Sequence, residues 1–192
     1  AAASAVSSTL TVANSAGLSL QAAVGGTRAL SGLSIQGTSE LAGPGINTTG
    51  GQTYTGTVTL AADNTLASSA AGAIRFESAV AGGHALTVNT AGATVFAAGA
   101  GAAPGTALVS LVTDAAGSVS LSGSVRVSGV AGATFNEQLT LTGAATIDAS
   151  HASGTVDFGG AVASAAAAAH GLTVTAGGAV RFAGAVGGSA QS

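Results

Sequence analysis

The stretch VRFAGAVGG, residues 180–188, has two near-copies upstream: IRFESAVAGG at 74–83 and VDFGGAVAS at 156–164. In each, an apolar–charged–aromatic triplet is followed by small residues and glycine. Alternation at period two places the outer residues of such a triplet on one face and the charged residue on the other, the pattern of a half-buried strand. The glycines that follow are turn residues. Phe76 and Phe96 are 20 residues apart, and Phe158 and Phe182 are 24 apart. A short strand recurring at that distance, closed each time by a glycine corner, is the signature of a coil that stacks on its neighbours.

The rest of the chain carries the same texture. LTV, TVTL, SVSL, VRV and LTLT alternate in the same way and are rich in β-branched residues. Longer correspondences overlie these short strands. TLTV (9–12), ALTV (85–88) and GLTV (171–174) put Leu10, Leu86 and Leu172 at offsets of 76 and 86. Leu20, Phe96 and Phe182 show the same two offsets. ALSGLSI (29–35) matches ALVSLVT (107–113) at 78; Tyr54 matches Phe135, and Leu60 matches Leu141, at 81; Phe76 matches Phe158 at 82. Residues 1–192 therefore read as one segment holding a little over two copies of an approximately 80-residue unit. Only SAAAAAH (164–170) reads as helix, or equally as an insertion at a corner.

These features predict an all-β fold, a parallel β-helix (β-solenoid) with coils of roughly 20–30 residues. One coil cannot bury its apolar face, but stacked coils can. Leu20, Phe76, Phe96, Leu121, Phe158 and Phe182 are the candidates for the internal stack. Arg75, Asp157 and Arg181, the middle residues of their triplets, are then surface residues. If Phe158 and Phe182 are rung neighbours, Asp157 and Arg181 form a cross-rung surface pair, which contributes little when exposed. A β-sandwich or β-barrel fits less well, because Asn-Gly and Asp-Gly hairpin turns do not occur.

Composition narrows function by exclusion. Charged residues are 6%, Lys is absent, and four scattered arginines against seven acids give a net charge of −3. No basic face for nucleic acid follows from that. Cys is absent, so disulfides do not hold the fold. No stretch is continuously apolar over the length of a membrane helix. The start, AAASAVSS, lacks the charged region of a signal peptide. The many β-branched residues and few charges argue against disorder.

Searches for chemistry return little. His84 and His170 precede equivalent strands and read as corner residues, several coils apart and too distant to share a metal. His151 sits in DASHASG near Asp148, a weak pair. The acids Glu40, Asp63, Glu77, Asp114, Glu137, Asp148 and Asp157 are isolated from one another. Carbohydrate-cleaving chemistry needs them clustered, and Asp157 with Glu77 makes a poor pair. The calcium nonapeptide and the phosphate loop are both missing; GGTRALSG (25–32) and AGAGAAPG (98–105) read as corners. NTT (47–49) is a glycosylation sequon in form only. No catalytic, metal-binding or cofactor-binding residue is assigned, no cofactor is implied, and the chain reads as a non-enzyme. Thr55, Thr57 and Thr59, read as one strand face, with Thr140 and Thr173 outward, supply an irregular hydroxyl array.

The succession LTV, VRFAGAVGG, ALxxL, QTYTGTVTL resembles repeats of very long bacterial extracellular proteins of the filamentous-haemagglutinin, large-adhesin and autotransporter type. The resemblance spans essentially the whole chain and is weakest over 36–50. It implies a right-handed parallel β-helix at the bacterial cell surface, acting as a stalk, adhesin or fibre in adhesion, cell–cell contact or biofilm matrix. The partners it implies are further copies or neighbouring repeats end to end, lateral homotypic contacts, and a host or matrix surface. Both termini cut into a repeat, which reads as a slice of a longer chain or as a subunit that stacks. The alternative function is a module that binds ice or carbohydrate through outward Thr and Ser rows.

Overall fold

The computed structural model describes residues 8–14, 16–165 and 168–187. Among them every regular element is a β-strand, and every pairing is parallel. The described residues form a β-solenoid of eight coils with three faces. Each coil visits face one, then two, then three, and returns to face one a rung higher.

The first coil comprises β1 (Thr9–Ala13), β2 (Leu18–Leu20) and the bridge residue Val24. The second is β3 (Gly32–Gln36), β4 (Ser39–Leu41) and β5 (Gly45–Thr48); the third is β6 (Gln52–Tyr54), β7 (Val58–Leu60) and β8 (Asn64–Ser68). The fourth is β9 (Ile74–Phe76), β10 (Val80–Ala81) and β11 (Ala85–Thr90). The fifth is β12 (Ala93–Phe96), the bridge residue Ala100 and β13 (Ser110–Thr113). In the sixth and seventh coils, faces one and two are joined in single long strands. β14 (Ser118–Arg126) precedes β15 (Ala133–Phe135), and β16 (Gln138–Ala149) precedes β17 (Val156–Phe158). The eighth is β18 (Val162–Ser164), β19 (Leu172–Ala176) and β20 (Val180–Phe182). Where β14 lies on β16 the register shifts between Leu121 and Gly123, so an irregularity turns both strands around the corner together.

Rung partners in these strands are separated by 19 residues at the closest, Leu33 and Gln52, and by 27 at the widest, Ile147 and Val174. Identical faces therefore stack although corner lengths differ. The interior is a set of ladders. On face one, Ile35, Tyr54, Phe76, Phe96, Leu121 and Leu141 follow one another. Tyr54 and Phe76 stack at 5.2 Å between ring centroids, and Phe76 and Phe96 at 5.1 Å, each pair nearly parallel. On face three, Ile46, Leu66, Val88, Thr113, Phe135, Phe158 and Phe182 form the equivalent line. Phe135 and Phe158 stack at 5.7 Å, and Phe158 and Phe182 at 4.5 Å. Burying each aliphatic or aromatic side chain stabilises the stack by roughly 1.5–3 kcal/mol. The aromatic rings add offset stacking within the favourable 4.5–7 Å range.

Corner glycines permit this close stacking. Gly132 has φ +66°, and a Cβ there would run into the backbone oxygen of Thr155 on the next coil. Only glycine satisfies both the left-handed backbone and the contact.

Three placements differ from the sequence reading. Leu20 belongs to face two, where it stacks on Leu41, so it shares no ladder with Phe96 or Phe182. Phe182 stacks on Phe158 but remains 42% exposed, because its other side has no rung against it among the described residues. Thr55, Thr57 and Thr59 do not share a strand face: β6 ends at Tyr54, Gly56 turns the corner, and only Thr59 lies in β7. In SAAAAAH, residues 166 and 167 lie outside the described residues, and the remainder is not helical.

The long correspondences also acquire a geometric meaning. Tyr54 is on face one of coil three, and its counterpart Phe135 is on face three of coil six. Phe76 and Phe158 are related in the same way. Leu10, Leu86 and Leu172 fall on faces one, three and two in turn, as their strands β1, β11 and β19 do. Each copy thus advances by eleven strand positions rather than twelve, and lands on the preceding face.

Candidate functional site

A polar seam runs inside the rod where face three turns into face one. It begins with three hydroxyl residues, each two positions past a face-three ladder residue. Thr48, Ser68 and Thr90 are rung neighbours and are buried. Thr48 Oγ1 donates to the Gly50 carbonyl at 2.6 Å, and Ser68 Oγ donates to the same carbonyl at 2.9 Å. Ser68 Oγ also accepts from the Gly72 amide at 3.0 Å. Thr90 Oγ1 donates to the Gly72 carbonyl at 2.7 Å and accepts from the Gly92 amide at 3.0 Å. Each hydroxyl occupies corner groups that the sheet ladders leave unpaired, which would be costly if left alone in the interior.

Gln52 and Tyr54 extend the seam inward. Gln52 Nε2 donates to the Ala67 carbonyl at 2.9 Å and to Thr48 Oγ1 at 3.2 Å. Its Oε1 accepts the Tyr54 hydroxyl at 2.9 Å. Complete burial pushes the Tyr54 hydroxyl well above the usual phenol range, so it is a donor at any ordinary pH.

Glu137 occupies the equivalent place in the sixth coil, two residues past Phe135. It is 3% exposed. Its Oε2 accepts the hydroxyl of Thr113, the ladder residue one rung below. Its Oε1 is buried and without a hydrogen-bond partner among the described residues, and so is Oδ1 of Asp114. Burial pushes the Glu137 carboxyl up to about 7; the bonds from Thr113 and from its own backbone oppose this, and the charge of Asp114 adds to it. Asn136 Nδ2 donates to the Thr113 carbonyl at 2.6 Å and ties the same corner.

The outer surface carries paired charges. Arg181 lies directly opposite Asp157 and donates to both its carboxylate oxygens, with Nη2 to Oδ2 at 2.9 Å. The Asp157 carboxylate holds the Arg181 guanidinium above its ordinary range. Arg126 pairs with Asp148 across β14 and β16 at 3.1 Å, and Arg75 with Glu77 along one coil at 2.9 Å. Asp157 and Glu77 are each engaged with a different arginine and do not meet.

The histidines do not converge. His84 Nδ1 lies 3.5 Å from Asp63 at one corner. His170 precedes β19 at a different edge, its amide donating to Ser164 Oγ. His151 Nδ1 accepts from the Ser153 amide, while Asp148 serves Arg126 and the Ser150 amide. Among the described residues no group of three or more His, Asp or Glu side chains could hold a metal ion. No helix of the described residues is long and apolar enough to cross a membrane. One surface groove, about 380 Å³, is open to solvent and presents Ser19, Glu40 and Thr59 in a row on face two.

The stack candidates divide by face: Phe76, Phe96 and Leu121 share one ladder, Phe158 and Phe182 another, and Leu20 a third. The seam and Glu137 were not singled out from sequence. A signal for the seam exists in Thr48-x-Gly50 and Thr90-x-Gly92, a hydroxyl two residues before a corner glycine. Glu137 carries no such mark.

No family model, no curated protein and no solved structure matches the chain. The class it can be placed in is that of parallel β-solenoids, on its own geometry.

Proposed function

We propose that this chain is a stiff structural segment of a bacterial surface fibre or adhesin, acting outside the cell in adhesion, cell–cell contact or a biofilm matrix. The observation that supports the reading best is continuity. The face-one ladder passes from Ile35 to Leu141 through six rungs without a gap, and parallel backbone bonds join every coil to the next. A stack of this kind resists bending because each coil is held to the next on three faces. Its neighbours are further copies or further repeats end to end, with lateral contacts between rods of low charge.

The hydroxyl-surface reading has less support. The outward row Thr11, Ser34, Thr53 on face one ends at Arg75, and Val95 follows. The eleven-strand step also puts the repeated Thr11, Thr87 and Thr173 on three different faces, so repetition does not build one flat lattice.

Electron microscopy of the native material tests the rod. The expected image is a thin filament rising about 4.8 Å per coil. Compact particles would count against it. Antibody labelling of intact cells tests the location separately, and thermal-hysteresis and glycan-array assays test the alternative.

A further inference from the structure

The corner at Glu137 departs from the logic of the seam. At this position the second to fourth coils hold the hydroxyls of Thr48, Ser68 and Thr90, which can donate and accept, while the fifth and seventh hold Ala115 and Gly160. In the sixth coil it holds a carboxylate whose Oε2 accepts from Thr113 Oγ1 and which its own backbone amide also favours. Glu137 Oε1 and Asp114 Oδ1 are both buried with no donor among the described residues. Asp114 directly follows β13, and Glu137 follows β15 by two residues, so the two acids lie on neighbouring rungs.

Two neighbouring carboxylates, each with one buried oxygen that lacks a donor, favour a proton on the more deeply buried of the two, Glu137. We propose that Glu137, beside Asp114, is a proton-operated latch: the proton held on its buried carboxyl closes the corner between the fifth and sixth coils, and its loss loosens that corner. The other groups packed around the pair do not titrate in this range. Below are Thr113 and the rest of β13; beside it is Asn136; above are Gly160, which abuts the Glu137 backbone, and Gly159, which abuts Asn136. Asp157 on β17 faces outward to Arg181.

The direction of the effect follows from the proton balance. Glu137 holds its proton up to about 7 in the folded chain, against 4.5 for the ordinary carboxyl. The folded state therefore binds the extra proton between those values. Its advantage is complete below the lower value and is lost as the pH rises through the upper one. The full loss is on the order of a hundredfold in the folding equilibrium.

The test is urea unfolding of the chain from pH 5 to pH 8, for the natural sequence and for Glu137→Gln. The amide of Gln supplies the donor permanently. The expected result is a fall in stability with pH for the natural chain, on the order of a hundredfold, and a much flatter profile for the variant. Parallel profiles overturn the proposal. Carbon NMR of the Glu137 carboxyl in the natural chain reads the same proton without a variant. Titration near neutrality supports the latch, and titration in the ordinary carboxylate range overturns it. Asp114→Asn should lower that titration, because it removes one charge and adds a donor; no change overturns the pairing.

Discussion

Truncating Phe76 to alanine is the most direct probe of the internal stack. Phe76 is fully buried and sits between two rings, Tyr54 at 5.2 Å and Phe96 at 5.1 Å. Removing the ring deletes its buried surface, leaves a cavity that stacked coils cannot close without lost backbone bonds, and breaks two aromatic contacts. The expected loss is about 3–5 kcal/mol. Phe182 provides the internal control. Among the described residues it stacks on Phe158 alone and is 42% exposed, so Phe182→Ala removes about half the burial and one contact, and should cost about 1–2 kcal/mol. Urea unfolding followed by circular dichroism measures both. Solenoids can unfold coil by coil, so hydrogen exchange of residues 54, 76 and 96 should accompany the melt and show protection lost around the substitution first. Equal losses at Phe76 and Phe182 would falsify the claim that the ladder, rather than local strand propensity, holds the coils together.

Three further outcomes follow from the same geometry. Gly132→Ala should destabilise by more than about 2 kcal/mol, because the new Cβ meets the Thr155 backbone in a left-handed conformation; Gly105→Ala, also left-handed at φ +74° but facing open space, should cost about 1 kcal/mol, and melting the two variants side by side separates contact from backbone strain. Thr90→Val keeps the shape but leaves the Gly72 carbonyl and the Gly92 amide without their partner, an expected loss of about 1–3 kcal/mol; an unchanged midpoint would show that the seam hydroxyls are incidental. Arg181→Gln should leave the unfolding midpoint nearly unchanged at moderate salt, since the pair with Asp157 is on the open surface; a large loss would mean that the ion pair sets the register of the last rung.

Much of the fold was legible before any coordinate. Phe76 and Phe96, and Phe158 and Phe182, lie one coil apart because each phenylalanine ends a short strand and each pair is separated by one coil length. The pairing of Asp157 with Arg181 then requires only the period-two alternation of a strand. Glu137 was not legible: DAAG (114–117) and NEQ (136–138) look like ordinary polar corners, and burial of the glutamate depends on Thr113 below and on Gly160 pressing from above.

By itself the amino-acid sequence determined the strand type, the coil length and which residues of the apolar–charged–Phe triplets face inward, since alternation and corner glycines act over a few neighbouring residues. Only the tertiary structure decided how many faces a coil has and which face each repeated motif lands on. Those depend on corner lengths summed over several coils, and corners of unequal length carry Leu10, Leu86 and Leu172 onto three different sides of the rod.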